Sequence, residues 1–135
     1  MLDLKEYNGI LMNEHFTIGL VKDKETDYSK SLIKNCGFDK EPIVTFKSLP
    51  IGKLSKHEIK EHDGRGDCLV GETVYDSYLI AEVLRLIGKR NVELYQKEED
   101  YPLGIKVEDK LACVAPVILV DNEDKDNLPK LEDII

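Results

Sequence analysis

Residues 57–68, HEIKEHDGRGDC, form the densest group of side chains in the chain that could bind a metal or move a proton. A zinc-binding helix of the His-Glu-x-x-His type needs its two histidines four residues apart, on one helix face. His57 and His62 are five residues apart, which separates them by about 140° on a helix and puts them on opposite faces of a strand. The stretch therefore predicts a polar hairpin with a turn at Gly64 and Gly66, and no metal site.

Nucleophilic catalysis has no better support in the sequence. None of Cys36, Cys68 and Cys113 has a sequence neighbour that would clearly lower its pKa, and no serine lies in a Gly-x-Ser-x-Gly elbow. The odd number of cysteines argues against a disulfide framework, and Cys113 lies in an apolar run typical of a small core residue. We predict a protein that is not an enzyme and needs no cofactor. A metal-dependent enzyme centred on residues 57–68 is an alternative.

Length and charge limit the class of protein further. The 135 residues suit one domain that can bury a core without disulfides. The 27 acidic and 19 basic residues give a net charge of −8, so bulk charge does not attract nucleic acid, although a few lysines on one helix can still act locally. No apolar run approaches the roughly 18 residues that span a membrane, and the N-terminus lacks a signal-peptide pattern. We expect a cytoplasmic protein with no membrane contact.

The strongest local pattern predicts one main amphipathic helix over residues 73–87. Tyr75, Leu79 and Val83 recur at helical spacing, and a glycine directly after the run is placed to end the helix. Thr73 is the expected N-cap, because an acidic residue follows it three positions later. This helix is the element from which the rest of the fold is predicted.

The segments before this helix carry weaker patterns. GILMNEHFTIGLVKD predicts a β-hairpin or a bent strand, and DYSKSLIKNCGF predicts a short helix that ends at Gly37. KLSKHEIKEH has few apolar positions, which allows at most an exposed strand, and CLVGE predicts a short strand.

Three strands are predicted after the helix, in NVELYQ, YPLGIKV and LACVAPVIL, at the spacing of an antiparallel meander. The predicted fold is therefore α+β, a single domain over residues 1–120 in which the main helix covers an antiparallel sheet. Residues 121–135 are acidic and lack a pattern, which predicts a mobile tail. A short partner-binding segment in LPKLEDII is the alternative.

Residues 73–119 also carry a series of short motifs in a familiar order. They are Tyr78-Leu79 at the start of a leucine-rich helix, Val92-Glu93-Leu94, Pro102-Leu103-Gly104-Ile105, and Ala115-Pro116-Val117. In order and spacing this stretch resembles the last part of a module of the bacterial DNA sliding clamp, the DNA polymerase III β subunit. Residues 1–72 resemble that family only loosely.

The resemblance implies a clamp-like module, with helices lining a central hole and sheets outside, six modules closing a ring around duplex DNA. A chain with room for one module would then form a homo-oligomer, act as a non-enzymatic replication accessory, and could be phage-encoded. The residues expected to face DNA phosphates without sequence preference are Arg85, Lys89 and Arg90. The groove expected to hold a peptide of a replication protein maps to Cys113, Ala115, Pro116 and Val117. The alternative is a small acidic adaptor or inhibitor, also open to a phage origin, that binds another protein without contacting DNA.

Overall fold

The computed structural model describes residues 3–57, 66–118 and 127–135. The strands found in these ranges are β1 (Lys5–Tyr7), β2 (Ile10–Met12), β3 (Ile18–Val21), β4 (Val44–Ser48), β5 (Asp67–Val70), β6 (Thr73–Asp76), β7 (Arg90–Tyr95), β8 (Leu103–Val107) and β9 (Lys110–Val114). The helices are α1 (Asp27–Asn35), α2 (Ile51–Lys56), α3 (Ser77–Ile87) and a single turn, α4 (Leu131–Ile134). The predicted α+β class, with an antiparallel sheet and one main helix, is confirmed.

Seven of the strands form one antiparallel sheet in the order β1-β2-β3-β9-β8-β7-β4, and β5 pairs with β6 in a second small sheet. Of the hairpin and the bent strand predicted for residues 9–23, the structure forms the hairpin, as β2 and β3. The Asn13 side chain closes its turn by accepting hydrogen bonds from the backbone N–H groups of Thr17 (2.8 Å) and Ile18 (2.9 Å). The predicted meander is confirmed as β7, β8 and β9. Strands β1, β2 and β3 form a second meander, and it joins the first where β3 pairs with β9, in the middle of the sheet.

Helices cover both faces of this sheet. Successive strand residues point to opposite faces, so Ala112 and Val114 of β9 face α3, whereas Cys113 faces α1. The α3 face carries the main apolar core, which also includes residues of β5, β6, α2 and α4. The α1 face is smaller, and Leu32 of α1 packs there over Gly19 of β3. The resemblance implied helices on one face only, so α1 adds a layer to that expectation.

The main helix starts four residues later than predicted. Residues Thr73–Asp76 form β6, paired with β5 in the register Cys68↔Tyr75, and the N-cap of α3 is Asp76, whose carboxylate accepts from the N–H of Tyr78 at 2.9 Å. The hydroxyl of Thr73 instead accepts a hydrogen bond from the N–H of Asp100. The prediction that Thr73 caps a helix over 73–87 is therefore wrong. Residues 73–76 pair with β5 as a strand, and this pairing overrides the local helical pattern.

The segment predicted as at most an exposed strand begins with a helix. Residues 51–56 form α2, and Leu54 is completely buried against α3. Six residues are too few for helical periodicity to be read, and the single buried leucine gives no pattern. The hairpin predicted over 57–68 falls largely on residues 58–65, which lie outside the described residues.

The last nine residues pack on the domain. The N–H of Leu69 in β5 donates to the carbonyl of Pro129 at 2.9 Å, Lys130 forms a parallel bridge with Leu69, and Leu131 is completely buried in the main core. The sequence predicts a mobile tail over 121–135, and the structure places residues 127–135 of it against the domain. Residues 121–126 lie outside the described residues. Leu128 and Leu131, three residues apart, are the buried apolar residues of this segment, and their charged neighbours leave no apolar pattern to recognise in the sequence.

Candidate functional site

The three residues predicted to contact DNA lie together at the C-terminal end of α3. Arg85 is in the last turn, Lys89 and Arg90 follow the glycine that ends the helix, and all three side chains are exposed. Arg85 forms an ion pair with Glu82, one turn earlier on the same helix. An exposed pair of this kind contributes about 0–1 kcal/mol, so it leaves Arg85 able to exchange partners.

A second helix, which the sequence did not predict, lies antiparallel to α3. At one end the hydroxyl of Ser77 donates to the carbonyl of Leu54 at 2.9 Å, and at the other the N–H of Leu49 donates to the carbonyl of Lys89 at 2.9 Å. These two hydrogen bonds fix the C-terminus of α2 beside the N-terminus of α3. They also place α2 in the same layer over the sheet.

The helix pair carries exposed positive charge towards both of its ends. Lys53 and Lys56 of α2 are exposed, and α2 contains no acidic residue, although Asp133 of α4 borders the same depression as these two lysines. In α3, from Ser77 to Ile87, Glu82 is the one acidic residue. We call Lys53, Lys56, Arg85, Lys89 and Arg90 the basic face. Sequence reasoning missed its two lysines because α2 was not recognised as a helix.

Three of the four predicted groove residues do line a cleft. Ala115, Pro116 and Val117 border an open depression of ≈ 430 Å³. The backbone N–H of Ala115 donates to Thr17, and that of Val117 donates to Val74, both at 2.8 Å. The other lining residues are His15, Thr17, Asp76, Leu79 and Ile118. Ile118 is 83% exposed, an unusual position for a large aliphatic side chain.

Cys113 does not belong to this cleft. It lies within β9 on the α1 face of the sheet, with an exposed fraction of 7%, where its sulfur contacts the position above Gly19. The prediction that it is a small core residue is confirmed. The prediction that it shares a groove with Ala115, Pro116 and Val117 is not supported, because β9 ends at Val114 and the cleft is built from the segment after it.

The described ends of the His-rich stretch form no cluster of metal ligands. Nε2 of His57 lies 3.3 Å from the carbonyl oxygen of Asp67, and the Cys68 thiol donates to the carbonyl of Tyr75 at 3.5 Å. Burial, followed by nearby carboxylates, raises the pKa of Cys68 to about 12, so its thiol stays protonated at neutral pH. Across residues 3–57, 66–118 and 127–135, no three His, Cys, Asp or Glu side chains are grouped so as to hold a metal ion.

Comparisons with known proteins add no assignment to this picture. No protein-family model matches the chain, and neither a curated protein nor a solved structure matches it significantly. Among the residues that the structure describes, no helix has the length and apolar character needed to cross a membrane. The class supported here is an α+β domain with exposed cations on one helix pair and, beside the start of α3, a cleft lined by apolar and polar side chains.

Proposed function

We propose that this chain is a non-enzymatic, clamp-like module that contacts duplex DNA through its basic face. The observation that carries the proposal is the antiparallel pair α2–α3, on which Lys53, Lys56 and Arg85 are exposed and Glu82 is the one acidic residue. Lys89 and Arg90 follow α3 directly, and Asp133 of α4 lies beside the two lysines. Helices directed at DNA, with a sheet behind them, are what the clamp resemblance implies. The proposal places the protein in the cytoplasm.

Phosphate contacts from such a surface need no base-specific groups. Lysine and arginine side chains neutralise phosphates and release counterions, so binding is independent of sequence and falls steeply with salt. The net charge of −8 makes the rest of the surface unfavourable for DNA. Contact at this face is still possible, because acidic charges farther away than a Debye length of about 8 Å at physiological salt are screened. The exposed cations on α2 and α3 satisfy that local requirement.

Assembly is the second part of the proposal. The main sheet ends at β1 on one side and β4 on the other, and within the described residues neither strand has a partner on its outer edge. Edge strands present unpaired backbone N–H and C=O groups that can pair with another chain. A homo-oligomer joined through these edges would carry the basic faces of several copies around one duplex.

The experiment is a titration of a fluorescent duplex at several salt concentrations, read by anisotropy. For about five phosphate contacts, log K should fall with log salt at a slope of about −4 to −5. Lys53→Glu with Lys56→Glu, and separately Arg85→Glu with Lys89→Glu, should each weaken binding at least tenfold at low salt and flatten the slope.

A matched control is available on the opposite face of the sheet. Lys30 and Lys34 are exposed on α1, so Lys30→Glu with Lys34→Glu changes net charge by the same amount. This variant should bind DNA within about threefold of wild type. Equal losses in all three double variants would mean that bulk charge alone governs binding, and no binding by wild type would reject the DNA-contact proposal.

A second candidate function rests on the cleft beside Ala115 and Pro116. We infer that an adaptor protein would use it to hold an apolar segment of another protein, because Ile118 is exposed at its border and Leu79 forms part of its lining. Peptides selected from a displayed random library should lose binding on Ile118→Asp and keep it on Leu86→Asp, which alters an exposed leucine of α3. Selected peptides that bind both variants equally would reject this site.

A further inference from the structure

A row of small residues crosses the middle of the main sheet on its α1 face. Cys113 of β9 pairs with Gly19 of β3 on one side and with Gly104 of β8 on the other. A Cβ atom on Gly19 would lie 2.9 Å from the sulfur of Cys113, so the thiol occupies the space that a larger residue would need. The Cys113 thiol is therefore flanked on both neighbouring strands by glycines, which have no side chain.

The C-terminus of α1 brings a second thiol to the same row. Cys36 is the C-cap of α1, held by its N–H to the carbonyl of Leu32 at 2.9 Å, and Gly37 follows with a φ of 78°. A Cβ on Gly104 would be 3.1 Å from the Cβ of Cys36, so Cys36 rests directly on the backbone beside Cys113. Directly opposed residues such as Gly104 and Cys113 have Cβ positions about 4.5–5.5 Å apart, so Cys36, packed at the Gly104 position, is a near neighbour of Cys113. A disulfide requires a Cβ–Cβ separation of about 3.5–4.5 Å.

The two thiols also interact with each other. A side-chain hydrogen bond between them lowers the pKa of Cys113, and the same hydrogen bond, together with burial, raises the pKa of Cys36. This is the arrangement of a thiol donor and a more acidic thiol acceptor.

We propose that Cys36 and Cys113 form an oxidisable pair, and that hydrogen peroxide converts it to an intramolecular disulfide. The sulfur of Cys113 attacks one peroxide oxygen, the O–O bond breaks, and the second oxygen leaves as water after taking up a proton, giving a sulfenic acid. The sulfur of Cys36 then displaces the sulfenic oxygen, which leaves as a second water with the thiol proton. Two thiols and one peroxide thus give one disulfide and two waters.

Burial restricts which oxidant can react. Cys36 is completely buried and Cys113 is 7% exposed, so a tripeptide disulfide such as oxidised glutathione is excluded. The proposal requires hydrogen peroxide, which is little larger than water, to diffuse to the pair. The third thiol, Cys68, lies in the main core on the other side of the sheet and donates to the carbonyl of Tyr75. It therefore does not compete for either partner.

The disulfide would tie α1 to the central strand of the sheet. It closes a loop from residue 36 to residue 113, and a cross-link over so long a loop restricts the unfolded chain strongly. We expect the thermal midpoint of the oxidised protein to rise by on the order of 10 °C. Reduction with dithiothreitol should return it to the starting value.

The test treats the full-length protein with hydrogen peroxide and counts thiols in denaturant. The count should fall from three to one, and peptide mapping by mass spectrometry should link Cys36 to Cys113 with a loss of two hydrogens. Oxidised glutathione at equal concentration should act at least tenfold more slowly. Cys68→Ala should keep the cross-link with no thiol remaining, and Cys113→Ala should lose it.

Other outcomes overturn the proposal. Sulfinic or sulfonic acid at Cys113 without a cross-link would mean that Cys36 cannot reach it. A disulfide that includes Cys68, or one that links two chains, would mean that Cys36 and Cys113 do not react preferentially with each other. Mapping of the wild-type protein decides between these results even where a cysteine variant fails to fold.

Discussion

Gly104 has no Cβ, and this allows α1 and the residues after it to pack closely on the sheet. A Cβ at this position would lie 2.8 Å from Cζ of Phe38 and 3.1 Å from Cβ of Cys36, both closer than normal packing allows. Gly104→Ala should therefore lower the free energy of unfolding by about 1–3 kcal/mol, because the α1 layer must shift outward. Urea denaturation followed by circular dichroism measures the change.

Gly52 provides the matched control for this substitution. It lies in α2, and a Cβ there would meet no atom within 4 Å. Gly52→Ala should raise the stability by about 0.5–1 kcal/mol, since alanine loses less backbone entropy in a helix than glycine. If both substitutions had the same effect, the close packing at Gly104 would not matter to stability.

Tyr75 gives a prediction for alkaline pH. Its side chain is completely buried, and its hydroxyl donates to the carbonyl of Tyr101 at 2.6 Å and accepts from Nε2 of Gln96 at 2.7 Å. Burial raises the pKa of Tyr75 from 10.0 to about 12. Because the unfolded chain then releases this proton at lower pH than the folded protein, stability falls as pH rises from 10 towards 12.

Tyr75→Phe isolates this contribution. At pH 7 the variant should be about 1–2 kcal/mol less stable than wild type, because two hydrogen bonds are lost and the amide of Gln96 loses a partner. The difference should narrow by about 1 kcal/mol by pH 11, since the variant has no phenol to ionise. Tyr7→Phe, at an exposed tyrosine, should change stability little at pH 7. A difference that stays constant with pH would contradict the raised pKa.

Cys113 shows what the sequence could establish about one residue. The apolar run around it predicted burial correctly. It could not give the face of the sheet, because Leu111, Ala112 and Val114 are buried too and β9 shows no polar alternation. The partner thiol is likewise invisible in sequence, since Cys36 reaches it only after α1 folds back on the sheet.

At the scale of elements, long patterned segments were predictable and short ones were not. The meander β7–β8–β9 and the body of α3 followed from apolar spacing and turn residues. The start of α3 was misplaced because β5 takes residues 73–76 as a strand, and α2 was missed because its one buried contact, Leu54, sets no period. The basic face therefore could be predicted only at its α3 end.

The C-terminal segment is held on the domain through one completely buried leucine. Leu131 is completely buried in the main core, and its segment is held to β5 through Pro129 and Lys130. Leu131→Ala should lower the free energy of unfolding by about 2–4 kcal/mol through the lost burial and the cavity left behind. Ile135→Ala, at a residue that is 37% exposed, should cost less than about 1 kcal/mol.

Urea denaturation compares the two C-terminal variants with wild type at equal protein concentration. A cost for Leu131→Ala no larger than for Ile135→Ala would mean that residues 127–135 do not remain on the domain in solution. The segment would then be mobile, as the acidic composition of residues 121–135 predicted. A large cost for Leu131→Ala alone supports a C-terminus that is part of the fold.

For the whole molecule, a net charge of −8 and a small basic face make a monomer a weak DNA binder. About five phosphate contacts lose affinity steeply with salt, so one module alone should dissociate at physiological ionic strength. A closed ring escapes this limit, because topology retains it on DNA even where each contact is weak. Retention in high salt therefore depends on assembly more than on any single lysine.

We expect light scattering to give a mass several times that of the 15.4 kDa chain, six copies if six modules close the ring. The assembly should stay on nicked circular DNA in high salt and leave when the circle is cut, because a ring can slide off a free end. A monomer at all concentrations, with no response to DNA, would reject the clamp proposal and favour the adaptor. A monomer that binds DNA in low salt and releases linear and circular DNA equally would keep the basic face as the contact surface and remove the ring.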